Sequence, residues 1–288
     1  MRYSLQIRIT CFLLLLFLGL TTGFSQSAYL GAYGGSYLYA VTDNLYDYSN
    51  NGIENYYHSK KISGGRGYNL GIKAGIKVND YLGLELLLNS FNGKEGTLYS
   101  EYLYSYWVDT LRDTIMVKIS GSRKARMIRI IPSLRFSLPG DHRVNPYIRI
   151  GGIIGFPKMT INTSDEDDDD RDGVLDYDDI VYEYKGGMAF GFHAGAGVEI
   201  KIIEKLFLSL EIAGNVISWT PERSTVTEWT TNGTNVINNK SKYDLETEYV
   251  KEYSYDPNNI DETSPRKSVR FSIPYSNIEW NAGIVYRF

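Results

Sequence analysis

The chain has 288 residues, and 30 Lys and Arg against 34 Asp and Glu leave a net charge of −4 near neutrality. That mildly acidic balance argues against nucleic acid as a partner. With 28 Gly and 25 Tyr against 3 His and 1 Cys, the chain lacks the usual composition of a soluble enzyme and suits twisted, tightly packed strands.

The first 25 residues read as an export signal. Arg2 and Arg8 form a positive segment, residues 9–20 are mostly apolar, and Gly23-Phe24-Ser25 places small residues where a signal peptidase reads. Cleavage is expected after Ser25, leaving a β-barrel domain over 26–288. The apolar run is shorter than the roughly 18 residues that a spanning helix needs. Cys11 lies inside this signal without a small-residue lipobox, so the mature domain has neither disulfides nor a catalytic thiol. Without Arg2 and Arg8 the count is 28 basic against 34 acidic, or −6. No later apolar run could form a spanning helix, so a place in a membrane requires a closed barrel.

Alternation then carries the fold. Over 68–79, Tyr68, Leu70, Ile72, Ala74, Ile76 and Val78 alternate with Asn69, Gly71, Lys73, Gly75, Lys77 and Asn79. A strand separates these two sets completely, whereas a helix would scatter the lysines through the apolar face. After an Asn79-Asp80 turn, Leu82, Leu84, Leu86 and Leu88 oppose Gly83, Glu85 and Asn89. The same pattern recurs over 127–138, 147–156, 188–202, 206–216 and 277–288. Residues 29–39 make an eighth strand, whose faces stay ambiguous because Tyr and Gly fill both. A soluble β-sandwich also alternates, but its outward face would carry the charges. Here the polar face is rich in glycine. The connections 79–80, 139–145 and 203–205 are short, and 40–66, 92–125, 157–186 and 219–268 are long. The predicted fold class is all-β: an eight-stranded antiparallel transmembrane β-barrel in a bacterial outer membrane, with short periplasmic turns and long extracellular loops.

These residues resemble the small OmpA/OmpX-like barrels, and more closely the outer-membrane β-barrel family abundant in Bacteroidetes. The likeness rests on 127–156 with Ile131-Pro132 and Pro146-Tyr147-Ile148, on Gly195-Ala196-Gly197-Val198-Glu199, and on the ending Gly283-Ile284-Val285-Tyr286-Arg287-Phe288. The resemblance implies that the barrel-insertion machinery reads the terminal Phe288, and that outer-membrane lipid and lipopolysaccharide surround the wall. It implies little about activity.

Inward positions include Lys73, Lys77, Arg129, Arg135, Arg149, Lys201 and Arg287 beside Glu85, Glu199, Glu211 and Glu279. They could line a selective pore or form a plug of ion pairs. An eight-stranded barrel is just wide enough for its own side chains, which favours the plug.

Residues 165–179 are strongly acidic. From Asp168 they read D-x-D-x-D-G-x-x-D-x-x-D, the spacing of a Ca²⁺ loop with Gly173 at the sharp turn. Asp168, Asp170, Asp172, Asp176 and Asp179 would supply side-chain oxygens and Val174 a carbonyl. The segment resembles the calcium repeats of thrombospondin type 3. It departs from the usual pattern at its last ligand, Asp179, where glutamate is common, and no helices flank it. The competing reading is a solvated acidic run.

Two tyrosine-rich stretches look like hairpins above the membrane. One has Tyr99, Tyr102, Tyr104, Tyr106 and Trp107 answered by 114–119, and a ten-stranded barrel using 97–119 is an alternative. The other alternates Tyr243, Leu245, Thr247, Tyr249 and Tyr253. Such tyrosines serve recognition or simply complete a sheet. His58, His142 and His193 are the only histidines, and none joins a recognisable nucleophile or carboxylate motif, so no catalytic residue is assigned. Two classes of role remain. One is a structural or surface-binding barrel with an extracellular ligand; the other is an accessory subunit of an outer-membrane secretion or nutrient-uptake complex.

Overall fold

A computed structural model describes residues 28–50, 55–108, 111–140, 142–167, 176–254 and 260–288. In chain order the strands begin with β1 (Ala28–Ala40), β2 (Asp43–Asn50), β3 (Asn55–Ile62), β4 (Gly67–Lys77), β5 (Leu82–Gly93) and β6 (Gly96–Val108). Then come β7 (Leu111–Ser137), β8 (Val144–Asp167), β9 (Asp176–Lys185), β10 (Ala189–Ile203) and β11 (Leu206–Trp219). The chain ends with β12 (Arg223–Thr231), β13 (Thr234–Asn235), β14 (Glu246–Val250), β15 (Arg266–Val269), β16 (Ile273–Pro274) and β17 (Asn277–Arg287).

Eight of these close a ring in the order β1, β4, β5, β7, β8, β10, β11, β17. The β1–β17 and β7–β8 pairings complete it, from Tyr29 opposite Arg287 and from Ser137 opposite Tyr147. The eight-stranded expectation therefore holds. The ten-stranded alternative does not, because β6 pairs only with the far part of β7, from Leu111 to Arg123, and never enters the ring. By the rule that short turns face the periplasm, the 79–80 and 204–205 turns mark that side. At the first, Asn79 accepts from the backbone N–H of Tyr81 (2.9 Å) and Leu82 (2.7 Å), a turn its short amide side chain builds locally.

The wall follows the alternation. Leu70, Ile72, Leu84, Leu88, Ile128, Leu134, Ile148, Ile150, Ile212 and Ile284 are exposed outward and form the lipid-facing surface. Lys73, Glu85, Arg129, Arg135, Arg149, Glu199, Glu211 and Glu279 are buried inside. The ambiguous first strand resolves through its neighbour. A side chain at Gly75 would collide with the Tyr29 ring, and one at Gly71 with the Tyr33 ring. These missing Cβ atoms let both tyrosines turn into the lumen, where they are buried.

Two strands outgrow the barrel. The length of β7 is 27 residues and that of β8 is 24, far more than the roughly 10 that a tilted strand needs to cross a bilayer. Beyond the rim, β7 exchanges its partner β5 for β6, while β8 exchanges β10 for β9. A second sheet thus rises above the barrel in the order β6, β7, β8, β9, β12, β14, β15. The stretch 157–186, read from sequence as a loop, is largely strand: β8 runs to Asp167, and β9 follows from Asp176. In the fourth long connection the expected alternation holds over Thr247 and Tyr249 on β14, but Tyr243 and Leu245 lie on a helical turn, Lys242–Leu245. There Ser241 and Asp244 form a reciprocal capping box, which satisfies the turn's first donors and ends the strand pattern.

Candidate functional site: an external sheet above a filled lumen

A chain of alternating charges runs through the lumen. Arg287 on β17 meets Glu199 on β10 (2.7 Å), which also binds Arg135 on β7 (2.6 Å). Arg135 reaches Glu85 on β5 (3.4 Å), and Glu85 bonds Arg149 on β8 and the hydroxyl of Tyr29. Arg149 continues to Glu211 on β11 (2.6 Å), which also accepts from Tyr147 (2.9 Å). Three arginines and three glutamates from six different strands thus neutralise one another. The order is dictated by chemistry, because buried charges persist only where each has its counter-ion and hydrogen bonds. The guanidinium of Arg135 also lies over the Tyr147 ring at 4.1 Å, a cation–π contact that suits a planar cation.

Lys73 donates to Ser209 (3.0 Å) and faces the Tyr147 ring at 5.8 Å. The void bounded by Tyr33, Lys73, Tyr147, Arg149, Ser209 and Glu211 measures about 10 Å³, room for a single water. Lys77 and Lys201 are half-buried. Of the inward charges read from sequence, Arg135, Arg149, Arg287, Glu85, Glu199 and Glu211 are therefore brought together as a packed network.

Towards the outside the lumen turns apolar. Leu87, Phe91, Met127, Ile131, Ile153, Ile217, Trp219, Ile273 and Tyr275 pack into one buried cluster. Tyr275 arrives on the segment after β16, which pairs with Ser218 and Trp219 and crosses the mouth as a lid. Its ring meets Phe91 at 6.5 Å and Trp219 at 6.2 Å, both edge-on. Arg129 lies beneath, fully buried, with Glu279 at 3.6 Å and the Phe91 ring at 4.4 Å. This cap is absent from the sequence reading. Its signal was the inward Leu87, Ile131 and Ile153, which interrupt an otherwise polar face.

The same apolar cluster continues under the external sheet through Met159, Ile161 and Tyr184. There Tyr184 stacks on Tyr249 at 6.1 Å, and Phe271 packs edge-on to Tyr249 at 5.1 Å. Burial pushes the Tyr184 phenol above its ordinary range, with the neighbouring Tyr249 adding to the effect. The bend that carries β9 into β10 uses Gly186 (φ 86°) and Gly187 (φ 76°), backbone angles that other residues adopt only with strain. Trp219 donates its indole N–H to the Gly186 carbonyl (2.9 Å) and pins that bend.

Of the six residues assigned to a Ca²⁺ loop, Asp168, Asp170, Asp172 and Val174 lie outside the described residues. Asp176 and Asp179 sit on β9, an odd number of residues apart and so on opposite faces of that strand. Asp176 stands opposite Asp167 and accepts from Asn232 (2.5 Å), and Asp179 stands opposite Ser164. Among the described residues, no group of three or more acidic, His or Cys side chains is gathered into a metal cluster.

The three histidines are far apart in role. His193 is buried in the lumen and hydrogen-bonded to Asn215 (2.8 Å). His142 sits at the 139–145 turn near the carbonyl of Pro139 (3.1 Å), and His58 falls on β3 opposite Asp47.

The sequence matches the family model described as outer membrane protein beta-barrel domain, over residues 12–288. No curated protein matches it. Among solved structures it is similar to Ail, the attachment invasion locus protein of Yersinia pestis, in complex with the heparin analogue sucrose octasulfate. There the identity is 13% and the TM-score 0.33, with 92% of this chain and 100% of that one covered. Neisserial surface protein A is similar at 11% identity and a TM-score of 0.30, covering 91% of this chain and 97% of that one.

Proposed function

This chain belongs to the outer membrane protein beta-barrel family and resides in the bacterial outer membrane, and from that premise we propose that it acts by binding at its external sheet. The observation that carries the reading is the growth of β7 and β8 out of the ring into a seven-stranded sheet, over a lumen whose buried arginines each meet a glutamate. A barrel that serves passage needs an open lumen; one that serves recognition needs rigid surface outside the membrane. The reading is non-enzymatic: His193 is held in the lumen by Asn215 and His142 is at the turn on the periplasmic side, away from the external sheet. The Bacteroidetes-type affinity is supported by the motifs at 127–156 and 283–288.

The test is binding by the purified barrel, held in lipid nanodiscs, to arrays of glycans and extracellular-matrix proteins. A variant in which residues 97–122 are replaced by a short turn is the comparison. The intact barrel should bind and the variant should not, while both keep the heat-shifted gel mobility of a folded barrel. No binding by the intact protein, with one stoichiometric membrane partner crosslinked to it in native outer membranes, would replace this reading with that of an accessory subunit.

For the acidic tip of β8 and β9 we propose Ca²⁺ binding outside the cell. Support comes from the spacing of Asp168, Asp170, Asp172, Asp176 and Asp179 around Val174, and from like charges in register, Asp165 opposite Asp178. Like charges directly across a ladder destabilise it, and a divalent cation relieves that repulsion. Extracellular sites of this kind bind at roughly 10⁻⁴–10⁻³ M. Calorimetry should show saturable heat in that range, lost in D168N/D170N/D172N. A flat titration of the intact protein at millimolar Ca²⁺ would end the idea.

A further inference from the structure

On one side of the barrel, where the apolar wall meets the external rim, the outward positions turn basic. Arg66 follows Tyr68, Leu70 and Ile72 up the lipid-facing column of β4, and Lys94 lies just past the end of β5 above Leu84, Leu86 and Leu88. On β7, Arg126 and then Lys124 stand above Ile128, Leu134 and Phe136. On β8, Lys158 stands above Ile148, Ile150 and Phe156. All five are exposed.

The register brings them together. Arg126 is directly opposite Lys158 across the β7–β8 ladder and opposite Asn92 across the β5–β7 ladder. Lys124 is two residues beyond Arg126, Lys94 is two beyond Asn92, and Lys94 donates its backbone N–H to the Arg66 carbonyl (2.7 Å). Residues facing across a ladder have Cβ atoms about 5 Å apart, so these cations form a compact patch over four adjacent strands. Glu183 pairs with Lys158 and with Lys185 (3.5 Å), and Glu95 follows Lys94 in the turn to β6.

The far wall differs. Near the rim, β1 and β11 expose Leu38 and Ser218 outward, and Met188 stands just before β10; none of the three carries a charge. A need for solubility at the rim would act on every strand. Cations gathered on this side, continued by Lys185 on β9 opposite Arg223 on β12, with Arg126 and Lys158 in repulsive register, point instead to a multivalent anion at that height. The chain is in the outer membrane, and the charged groups found at the top of a bilayer wall are lipid headgroups.

We propose that Arg66, Lys94, Lys124, Arg126 and Lys158 bind the phosphate groups of a phosphorylated lipid of the outer leaflet, whose acyl chains lie along the apolar columns below. Arginine matches a phosphate with two parallel N–H donors, and lysine adds point charges around it. Clustered basic residues at a membrane surface act on headgroups in this way. A bound phosphate adds to Glu183, which already pairs with Lys158, in offsetting the Arg126–Lys158 repulsion, so the lipid stabilises the two strands from which the external sheet grows.

The experiment is native mass spectrometry of the full, delipidated barrel in detergent, titrated with bisphosphorylated lipid A and, separately, with the same lipid after enzymatic dephosphorylation. The phosphorylated lipid should be retained and the dephosphorylated one should bind at least about tenfold more weakly. Each neutralised cation should weaken retention by about fivefold, so K124Q/R126Q should lose about 25-fold. K124R/R126K, which keeps the charges, should retain binding and separates a lost site from a lost fold. Equal retention of the two lipids, or unchanged retention in K124Q/R126Q, overturns the proposal. Displacement of the lipid by millimolar inorganic phosphate also overturns it, because the site would then serve a soluble anion.

Discussion

Glu85→Ala will destabilise the barrel by about 3–5 kcal/mol, the range for removing one partner from a buried ion pair. Glu85 is the central anion of the lumen network: it holds Arg149, reaches Arg135 at 3.4 Å, and accepts from Tyr29. Its removal strands charge where solvent cannot enter, since both guanidinium groups are buried. Some relief is built in, because Arg135 keeps Glu199 and Arg149 keeps Glu211. Glu85→Gln, which retains an acceptor for Tyr29 without the charge, should fall between the two. The comparison is Glu183→Gln, which breaks pairs with the solvent-exposed cations Lys158 and Lys185 outside the lumen and should cost about 1 kcal/mol. Urea titration of the refolded barrel in detergent micelles measures all three. If Glu85→Ala unfolds within 1 kcal/mol of the natural protein, the network is not what fixes the lumen.

The ring was legible because a lipid-facing wall imposes a two-residue period with one uniformly apolar face. Ile72 beside Lys73, and Ile148 beside Arg149, leave no other face assignment. The pairing of the inward charges was not legible. Which arginine meets which glutamate depends on how the strands are staggered around the ring, and Arg135 and Glu85 are 50 residues apart in the chain. The first strand was unreadable for a local reason. Tyr29 and Tyr33 face inward because Gly75 and Gly71 on β4 leave room, a fact about a neighbour and not about β1 itself.

The external sheet was partly hidden by the same logic. Above the rim neither face meets lipid, so β8 beyond Pro157 and β9 lose the clean alternation that announced the wall. Acidic residues at 165–167 and 176–179 then look like a loop, although they lie on paired strands. The tyrosine-rich hairpin was readable because its two halves mirror one another around a turn, and β6 with the start of β7 pairs as expected. The Ca²⁺ assignment rests on spacing alone at Asp168, Asp170, Asp172 and Val174. Asp176 and Asp179, on opposite faces of β9, would have to reach any shared ion from the end of the strand.

The apolar lid yields the second large effect. Tyr275 is fully buried between Phe91 and Trp219, and the short β16 pairing with β11 holds its segment across the mouth. Tyr275→Ala removes a whole aromatic side chain from this core and should cost about 3–5 kcal/mol, as large-to-small changes at buried aromatics do. Tyr275→Phe separates the ring from its hydroxyl. Among the described residues the Tyr275 hydroxyl has no hydrogen-bond partner, so burying it contributes nothing that phenylalanine lacks. The phenylalanine variant should therefore unfold within about 1 kcal/mol of the natural protein, or be slightly more stable, because an unpaired buried hydroxyl is itself unfavourable. The lid also stands between the external solution and Arg129, which lies against Phe91. Opening it in Tyr275→Ala should expose the outer lumen, seen as faster hydrogen exchange at the backbone amides of 87–91 and 273–277 with the β10–β11 hairpin unchanged. Equal loss of stability in the alanine and phenylalanine variants would mean that the hydroxyl, and not the packing of the ring, holds the mouth shut.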